Sequence, residues 1–572
     1  MDKKNVEGIL EEIGTLLELK GENPFKTRAY FNAARVIAGL EGDLAEVVKA
    51  GRLRDIKGIG EALEEKITTL VMTGRLPYYE ELRKSLPSGL LEMLKIPGLG
   101  PKKVKVLHEN LKIHSIKELE KACRHDRLLD LEGFGQKTQE NILKGLMQLQ
   151  KHHGQFLLHQ AWPEAEALEK YLRQSPKIIR LEIAGSLRRR KEVVKDIDFV
   201  ASVTNPLTVG EYFIKFPDVE RMIAKGDTKV SVELKHGIQA DLRMVTDIEF
   251  PYALHHFTGS KEHNTAMRGR AQEKFHIKMN EYGLFKMKKN VEKLIPCHDE
   301  RDIFKTLGLA YIPPELREDM GEIEVAENGT IPDLVEEKDL KGTFHCHTTS
   351  SDGKASVLEM AQAAQAMGLS YLGIADHSQV AVYAGGLTIE KIKRQREEIE
   401  KTNQKLIGFT VLQGLEIDIL KDGTLDMTEK TLELLDFTVI SVHSRFNLSR
   451  EEMTKRLIKA MTNPYASILG HASGRLLISR EPYEVDMEAV LETAAKRKLV
   501  VEINCNPRRL DLDWRWCLKA KKMGVKFSIN PDAHETAGFK DLRFGVGIAR
   551  KGWLTKQDVI NTLPLADALS FL

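Results

Sequence analysis

Between residues 341 and 572 the sequence repeats one arrangement: a short apolar run that ends on or next to a histidine, then a stretch of helical periodicity. The runs are "GTFHCH", "YLGIADHS", "FTVISVHS", "ASILGHAS" and "VKFSINPDAH", and the stretches between them include "VLEMAQAAQAMG" and "MEAVLETAAKRK". Two further runs, "FTVLQGLEID" and "LVVEINCN", bring the series to seven βα-type units. No other feature restricts the fold as much. Strands alternating with helices predict a parallel sheet, and a barrel of such units gathers its strand C-termini at one mouth, where chemistry belongs.

All six histidines of this region, His345, His347, His377, His443, His471 and His534, fall at those strand ends. In "HCH" the alternation of a strand turns His345 and His347 to one face and Cys346 to the other. A lone His-x-His is a weak signal, and buried core histidines are the bland alternative. That alternative explains poorly why no histidine lies on a helix face or a distant loop. With Asp352, Glu416 and Asp532 the set offers nitrogen and oxygen ligands for a cluster of up to three transition metals.

A chain of 572 residues is expected to hold several domains. The segment "PPELREDMGEIEVAENGTIPDLVEEKDL" (313–340) carries ten acidic residues against two basic ones and reads as an acidic connection. Before it, 52 basic residues face 45 acidic ones, a mild excess that suits a phosphate-bearing partner. No run of about 18 apolar residues occurs, so no membrane span is expected. The N-terminus "MDKKNVEGILEEIG" lacks the apolar core of a signal peptide, which argues for a cytoplasmic product. Cys123, Cys297, Cys346, Cys505 and Cys517 show no paired spacing, so no disulfide framework is expected.

Residues 1–150 read as helical, with three similar breaks: "DIKGIGEALEEKI", "LKIPGLGPKKVKVL" and "DLEGFGQKTQENIL". Each places an apolar residue between two glycines (Gly58 and Gly60, Gly98 and Gly100, Gly133 and Gly135) just before a helix start. Glycine permits close backbone approach, and a helix start offers free N–H groups to a phosphate oxygen. Tight helix–helix turns would explain any one break. Three of them, with Lys102, Lys103 and Lys137 alongside, favour backbone contact with nucleic acid. These stretches resemble helix-hairpin-helix motifs, which grip the DNA backbone without reading sequence.

At 178–204, "IIRLEIAGSLRRRKEVVKDIDFVASVT", the text turns to strand chemistry. Asp196 and Asp198 would share one strand face, with Ile197 buried behind. Two close carboxylates repel unless cations neutralise them, and a pair of divalent ions bridging a triphosphate and an attacking hydroxyl is the fitting chemistry. Asp241, in "HGIQADLRMV", is a third strand carboxylate. The pattern resembles the nucleotidyltransferase superfamily. "GSLRRRKEVVKDID" and "HFTGSKEHNTAMRGRA" (256–271) are similar to the palm and thumb signatures of family-X DNA polymerases, the group of DNA polymerase beta.

That resemblance implies two Mg²⁺ at Asp196, Asp198 and Asp241, and a triphosphate at Gly185, Ser186 and Arg189. It places Phe257 and Gly259 along the sugar, and Asn264 and Arg268 at the minor groove of the nascent pair. His256 stands where the family often has tyrosine, which puts discrimination against ribonucleotides in question. The helical front matches the family's gap-binding domain, in which some members form a Schiff base with an abasic sugar. The matching lysine is Lys66, but Asn32 and Ala62 stand where lyases have supporting lysines, and the alternative is a surface lysine beside Glu64 and Glu65.

The ordered histidines and carboxylates of 341–572 resemble the PHP (polymerase and histidinol phosphatase) family, with all nine ligand positions filled. A family-X polymerase followed by a PHP domain is the architecture of bacterial and archaeal family-X enzymes. The resemblance implies a multidomain chain: a helical helix-hairpin-helix region (1–150), an α+β nucleotidyltransferase palm and thumb (151–312), the acidic linker (313–340) and a (βα)7-type PHP barrel (341–572). It implies a monomeric gap-filling repair polymerase acting on gapped or nicked DNA with dNTPs. Its second site would be a 3′–5′ exonuclease or phosphoesterase using Mn²⁺ or Zn²⁺, with 3′-phosphatase and abasic-site incision as further activities. The alternatives are a small-molecule phosphatase, which would need no hairpins or palm, and a non-catalytic DNA-binding scaffold, which would be expected to have lost ligands.

Overall fold

Every residue of the strand Tyr371–His377 is buried, as are nearly all of Thr410–Asp418 and all of Val500–Asn504. Such runs are buried without alternation because helices cover one face of a parallel sheet and the other faces the barrel interior. In the computed structural model, seven parallel strands follow one another in sequence order, from Gly342–Thr343 to Phe527–Asn530. The ends of the series meet: Thr343 Oγ1 donates to the Ile529 carbonyl at 3.1 Å, and Cys346 and Ala533 form a parallel bridge. The structure describes residues 3–572 apart from 39, 41–43, 97, 153 and 289–290. Two units are distinguished, Met1–His153 and Gly154–Leu572.

The first unit is helical. Helices Lys3–Lys20 and Pro24–Ala38 share one apolar core with Glu61–Thr73, and a second core forms around Pro101–Leu111 and Gln136–Lys151. All three glycine breaks have the same construction. The middle residue (Ile59, Leu99, Phe134) is buried in a core. The first glycine lies in the left-handed region, with φ of 103° at Gly58 and 83° at Gly98 and Gly133, which an L side chain adopts only with strain. The second glycine precedes the helix.

In the second unit a five-stranded mixed sheet has the order Ile178–Ile183, Asp196–Val203, Gln239–Val245, Lys229–Leu234, Val219–Lys225. Helices Phe250–Thr258 and Lys261–Phe275 follow, then a three-stranded antiparallel sheet. The acidic segment 313–340 contains short helical turns, Pro314–Leu316, Glu322–Glu327 and Glu337–Asp339. Three of its charged side chains are tied into the fold: Glu315 accepts from Arg550 Nε at 2.7 Å, Glu322 contacts the His263 ring at 2.7 Å, and the fully buried Arg317 reaches Glu300. All five cysteines are buried and free.

Two candidate metal sites

Strand pairing builds the first site. Asp196–Val203 runs parallel to Gln239–Val245 with Asp198 directly opposite Asp241, and Asp196 lies one pleat along on the same face. Oxygen atoms of the three carboxylates lie within 4.8 Å of one another. Burial, then repulsion from Asp196 and Asp241, pushes the Asp198 carboxyl up to about 7, and burial with Asp241 also raises Asp196. Burial acts on Asp241 in the same direction, but Lys229, Ser231 and Gln239 outweigh it and leave its carboxyl below the usual range. Lys229 Nζ lies 2.6 Å from Asp241 Oδ2, an ammonium beside carboxylates that would otherwise only repel.

Gly185 opens the four-residue helix Gly185–Arg188 next to this cluster, and it cannot be larger. Its φ is 61°, and a Cβ there would meet Asp198 Oδ2 at 2.0 Å. Ser186 follows in the same turn. Arg189 is buried, its Nε donating to Glu318 Oε1 at 3.0 Å and its Nη1 to the Thr258 carbonyl. Phe257 lies beneath the Arg243 guanidinium, 4.7 Å from its ring centre, and Gly259 ends the helix at φ 68°. One turn apart on the next helix, Asn264 is buried and donates to the His256 carbonyl at 2.7 Å, whereas Arg268 is exposed. His256 is half-buried with its Nδ1 4.0 Å from Glu281. Burial holds its imidazole below the ordinary value.

The second site lies at the C-terminal mouth of the barrel. Three groups converge there: His347, Asp352, His377 and His534; His345, His347 and Asp532; and His377, Glu416 and His443. They overlap in His347 and His377, so they make one continuous cluster. Glu416 is its centre, 3.1 Å from His377 Nδ1, 3.1 Å from His443 Nε2 and 2.9 Å from His471 Nε2. All nine residues singled out in the sequence are therefore brought together.

The chemistry of this cluster fits metal ions. His345 Nε2, both ring nitrogens of His347, His377 Nδ1 and His471 Nδ1 are buried without a hydrogen-bond partner, a cost that ligation removes. Ligand atoms spaced by 3.2 Å, as in His347 Nε2 and Asp532 Oδ1, suit two donors about 2.1 Å from one ion. Burial disfavours charge throughout, yet the carboxylates outweigh it at three histidines. His345 is held well above the ordinary value, His443 near 10 and His534 near 9. At His377 burial prevails over Glu416 and pulls the ring down to about 4.

Several supporting residues were not foreseen. Glu502, fully buried, accepts from His345 Nδ1 at 2.6 Å and from the His471 backbone N–H at 2.7 Å, while Asn504 and Asn530 donate to it. Asp418 faces His443 Nδ1 at 3.2 Å. Such carboxylates fix ring orientation and raise ligand basicity. Arg509 Nε lies 3.7 Å from Asp532, a cation at the rim. The signal lay in the strand alternation: Glu416 and Asp418, like Glu502 and Asn504, are two residues apart and share a face.

At the glycine breaks of the first unit, a Cβ on Gly60, Gly100 or Gly135 would meet nothing within 4 Å, and none has a left-handed φ. The fold itself does not require glycine there; a backbone approaching from outside would. Lys102 is exposed in the first turn after Gly100. Lys66 Nζ donates to the Ala62 carbonyl at 3.0 Å and lies 5.1 Å from the Tyr78 ring centre, and neither Asn32 nor Ala62 supplies a second cation.

Family models match four parts of the chain: a helix-hairpin-helix domain over residues 1–76, a SAM-like helix-hairpin-helix tandem over 90–148, a DNA polymerase beta thumb over 253–318 and a PHP domain over 343–506. A DNA polymerase/3′-5′ exonuclease PolX of Bacillus subtilis (strain 168) is 39% identical over 574 residues, covering 100% of this chain and 99% of that protein. A probable phosphatase of Thermoanaerobacter sp. (strain X514) is 30% identical over 230 residues, 38% of this chain and 89% of its own. One from Caldanaerobacter subterraneus subsp. tengcongensis is 32% identical over 201 residues, 33% of this chain and 74% of its own.

Proposed function

The chain belongs to the family-X DNA polymerases that carry a PHP domain, and from that premise we propose a repair enzyme with two metal-dependent activities on one polypeptide. One is nucleotidyl transfer into short gaps at the palm, and the other is removal of 3′-terminal nucleotides at the barrel mouth. The observation that supports this reading is the coexistence of two chemically different clusters, three aspartates in one and histidines with carboxylates in the other. A non-catalytic scaffold would not need either set. We assign residues 1–150 to DNA binding, 151–312 to palm and thumb, 313–340 to the connecting segment and 341–572 to the phosphoesterase. The enzyme works as a cytoplasmic monomer on gapped or nicked DNA with dNTPs.

In the palm, two Mg²⁺ held by Asp196, Asp198 and Asp241 would neutralise the triphosphate and acidify the primer 3′-hydroxyl. Asp241, kept ionised by Lys229 and Gln239, accepts the proton of that hydroxyl on its carboxylate. Gly185, Ser186 and Arg189 hold the triphosphate. Phe257 and Gly259 border the sugar, and Asn264, which also holds the His256 carbonyl, and Arg268 face the minor groove of the nascent pair. Gly58, Gly60, Gly98, Gly100, Gly133, Gly135 and Lys102 carry backbone contacts to DNA.

At the barrel mouth, Mn²⁺ or Zn²⁺, up to three ions held by the nine ligands, would supply acidified water and neutralise the scissile phosphate. Glu502 and Asp418 hold the His345 and His443 rings in the ligating tautomer, and Arg509 receives a phosphate oxygen. The likeness to probable phosphatases adds removal of a 3′-terminal phosphate as a second reaction of this site. Lys66 is the candidate Schiff-base lysine for an abasic sugar, tested by borohydride trapping on an incised abasic duplex.

The deciding experiment is product analysis on a gapped duplex with Mn²⁺, with and without dNTPs. Extension with dNTPs and stepwise 3′-end shortening without them are expected. A protein that hydrolyses small phosphomonoesters but leaves both DNA ends intact would favour the small-molecule phosphatase and refute this reading.

A further inference from the structure

The turn assigned above to the triphosphate is braced by the barrel. Helix Leu542–Lys551 ends on Lys551, whose side chain is fully buried 4.6 Å from the Trp514 ring centre. Its Nζ donates to the Arg189 carbonyl at 3.2 Å, to the Glu315 carbonyl at 3.3 Å and to Glu318 Oε1 at 2.5 Å. That same Glu318 oxygen accepts from Arg189 Nε at 3.0 Å. Further along the turn, Glu192 lies 3.7 Å from Arg475 and 3.8 Å from Arg515, and the Arg190 side chain packs against Gly547. Residues 189, 190 and 192 thus all rest on barrel residues.

The charge balance here is uneven. Glu318 is one carboxylate facing Arg189, Lys551 and, at 3.9 Å, Lys191. Burial works against its charge, but Lys551 and Arg189 outweigh that and hold it below the usual carboxylate range. Three cations around one anion leave a surplus of positive charge, which suits a polyanion. Lys551 itself is poorly suited to its surroundings: burial and the neighbouring Arg189 pull its ammonium down to about 8 against the opposing pull of Glu318 and Glu192. A lysine that binds its proton less tightly when folded costs stability at neutral pH, so fold stability alone does not account for it.

We infer that Lys551 is a positioning residue for nucleotidyl transfer: by donating to the Arg189 carbonyl this barrel lysine holds the turn, and by sharing Glu318 with Arg189 it leaves the Arg189 charge available to the triphosphate of an incoming nucleotide. Without Lys551 the Glu318 charge falls on Arg189, and the tightened pair competes with the triphosphate. The barrel is then part of the polymerase site as well as a second enzyme. The inference rests on the assignment of Arg189 to the triphosphate.

The test is single-nucleotide insertion into a gapped duplex by the full chain, with 3′-end degradation measured beside it. Lys551→Met should raise the dNTP KM by about tenfold, the weight of one charge-assisted contact, with kcat nearly preserved and degradation unchanged. Adding Glu318→Gln to Lys551→Met should bring KM back toward wild type, because the competing charge is gone and Thr258 still holds Arg189. A purely structural lysine would instead make the double variant worse than the single. An unchanged KM in Lys551→Met, a double variant worse than the single, or parallel losses of insertion and degradation would each overturn the inference. Should Lys551→Met fail to fold, Glu318→Gln alone decides: KM at or below wild type supports the inference, and a rise overturns it. Arg189→Ala separates the two readings: an unchanged KM there refutes the Arg189 assignment and the inference with it, whereas a raised KM there with an unchanged KM in Lys551→Met overturns the inference alone.

Discussion

In the palm three aspartates cluster with Lys229 in contact with one of them, and another is pushed up to about 7. At the barrel mouth three carboxylates face six histidines, and His345, His443 and His534 hold their protons well above the ordinary value. The palm triad repels itself and has only hard oxygen ligands, so it suits cations that arrive with a triphosphate. The mouth balances itself with protons that metal ions can displace, and its mixed nitrogen and oxygen ligands suit ions that stay. The same ligand, a carboxylate, thus stands once in an oxygen-only cluster and once among imidazoles.

The largest expected effect separates the two sites outright. Asp198→Ala should lower extension by at least about 10³-fold and spare degradation, because it removes a shared ligand of the palm alone. His345→Ala or Asp532→Ala should do the reverse, losing bound metal and degradation together while extension persists. Primer extension and end-labelled degradation on one DNA read both. If either variant abolished both activities, the sites would not be independent and the contrast would break.

A smaller loss sharpens the account of the mouth. Glu502→Gln should weaken metal binding about 10- to 100-fold, since it touches the ring of His345 rather than an ion. Metal titration followed by degradation rate measures it, and affinity equal to wild type would reduce Glu502 to a packing residue.

Acidity should act on the two sites through different groups. Asp198 has a folded value raised above its unfolded one, so its ionisation costs stability as pH rises toward 7, and Mg²⁺ relieves that cost. Half-saturating Mg²⁺ for extension should therefore increase as pH falls below about 7, by up to roughly tenfold per unit. In metal-stripped protein, His443 and His534 are raised instead. Their stabilisation is fully present below about 6.5 and is lost as pH rises through about 9 to 10. Thermal melting with and without metal across this range checks both signs.

At the hairpins the effect should be a few-fold. Gly98→Val strains a left-handed residue and disturbs the turn itself. Gly100→Ala adds a Cβ that meets nothing in the protein, so any loss of DNA affinity reports on the partner. A loss of about 1 kcal/mol, equal across DNA sequences, is expected for such a backbone contact, and unchanged affinity for gapped DNA would make the second hairpin a structural turn. The smallest effect concerns His256. His256→Tyr should sharpen the preference for dATP over ATP only modestly, because bulk alone discriminates weakly. Equal selectivity in the two proteins would make His256 a bystander.

The barrel and its six histidines were legible because each histidine falls at the end of an apolar run, where strand geometry leaves little freedom in where a side chain points. Glu502 and Asp418 were not, because they lie in the two runs that carry no histidine and served only to count strands. The palm triad was legible for the same reason as the ligands: Asp-x-Asp fixes a shared face. Composition marked 313–340 as acidic but not which of its ten acids would find a cation: Asp319 and Glu324 are exposed, whereas Glu315 pairs with Arg550, 235 residues away. No local pattern carries that information, and the bracing of Arg189 by Lys551 was out of reach for the same reason.

The central claim is that the mouth keeps its metal and the palm does not, and elemental analysis tests it directly. The full chain, Asp196→Ala/Asp198→Ala and His345→Ala/Asp532→Ala would each be purified without chelator and exchanged into metal-free buffer, and the metal per chain counted. The account predicts transition metal retained at up to three ions per chain in the first two proteins and depleted in the third. Metal that disappeared with the palm aspartates, or that survived the loss of His345 and Asp532, would contradict it.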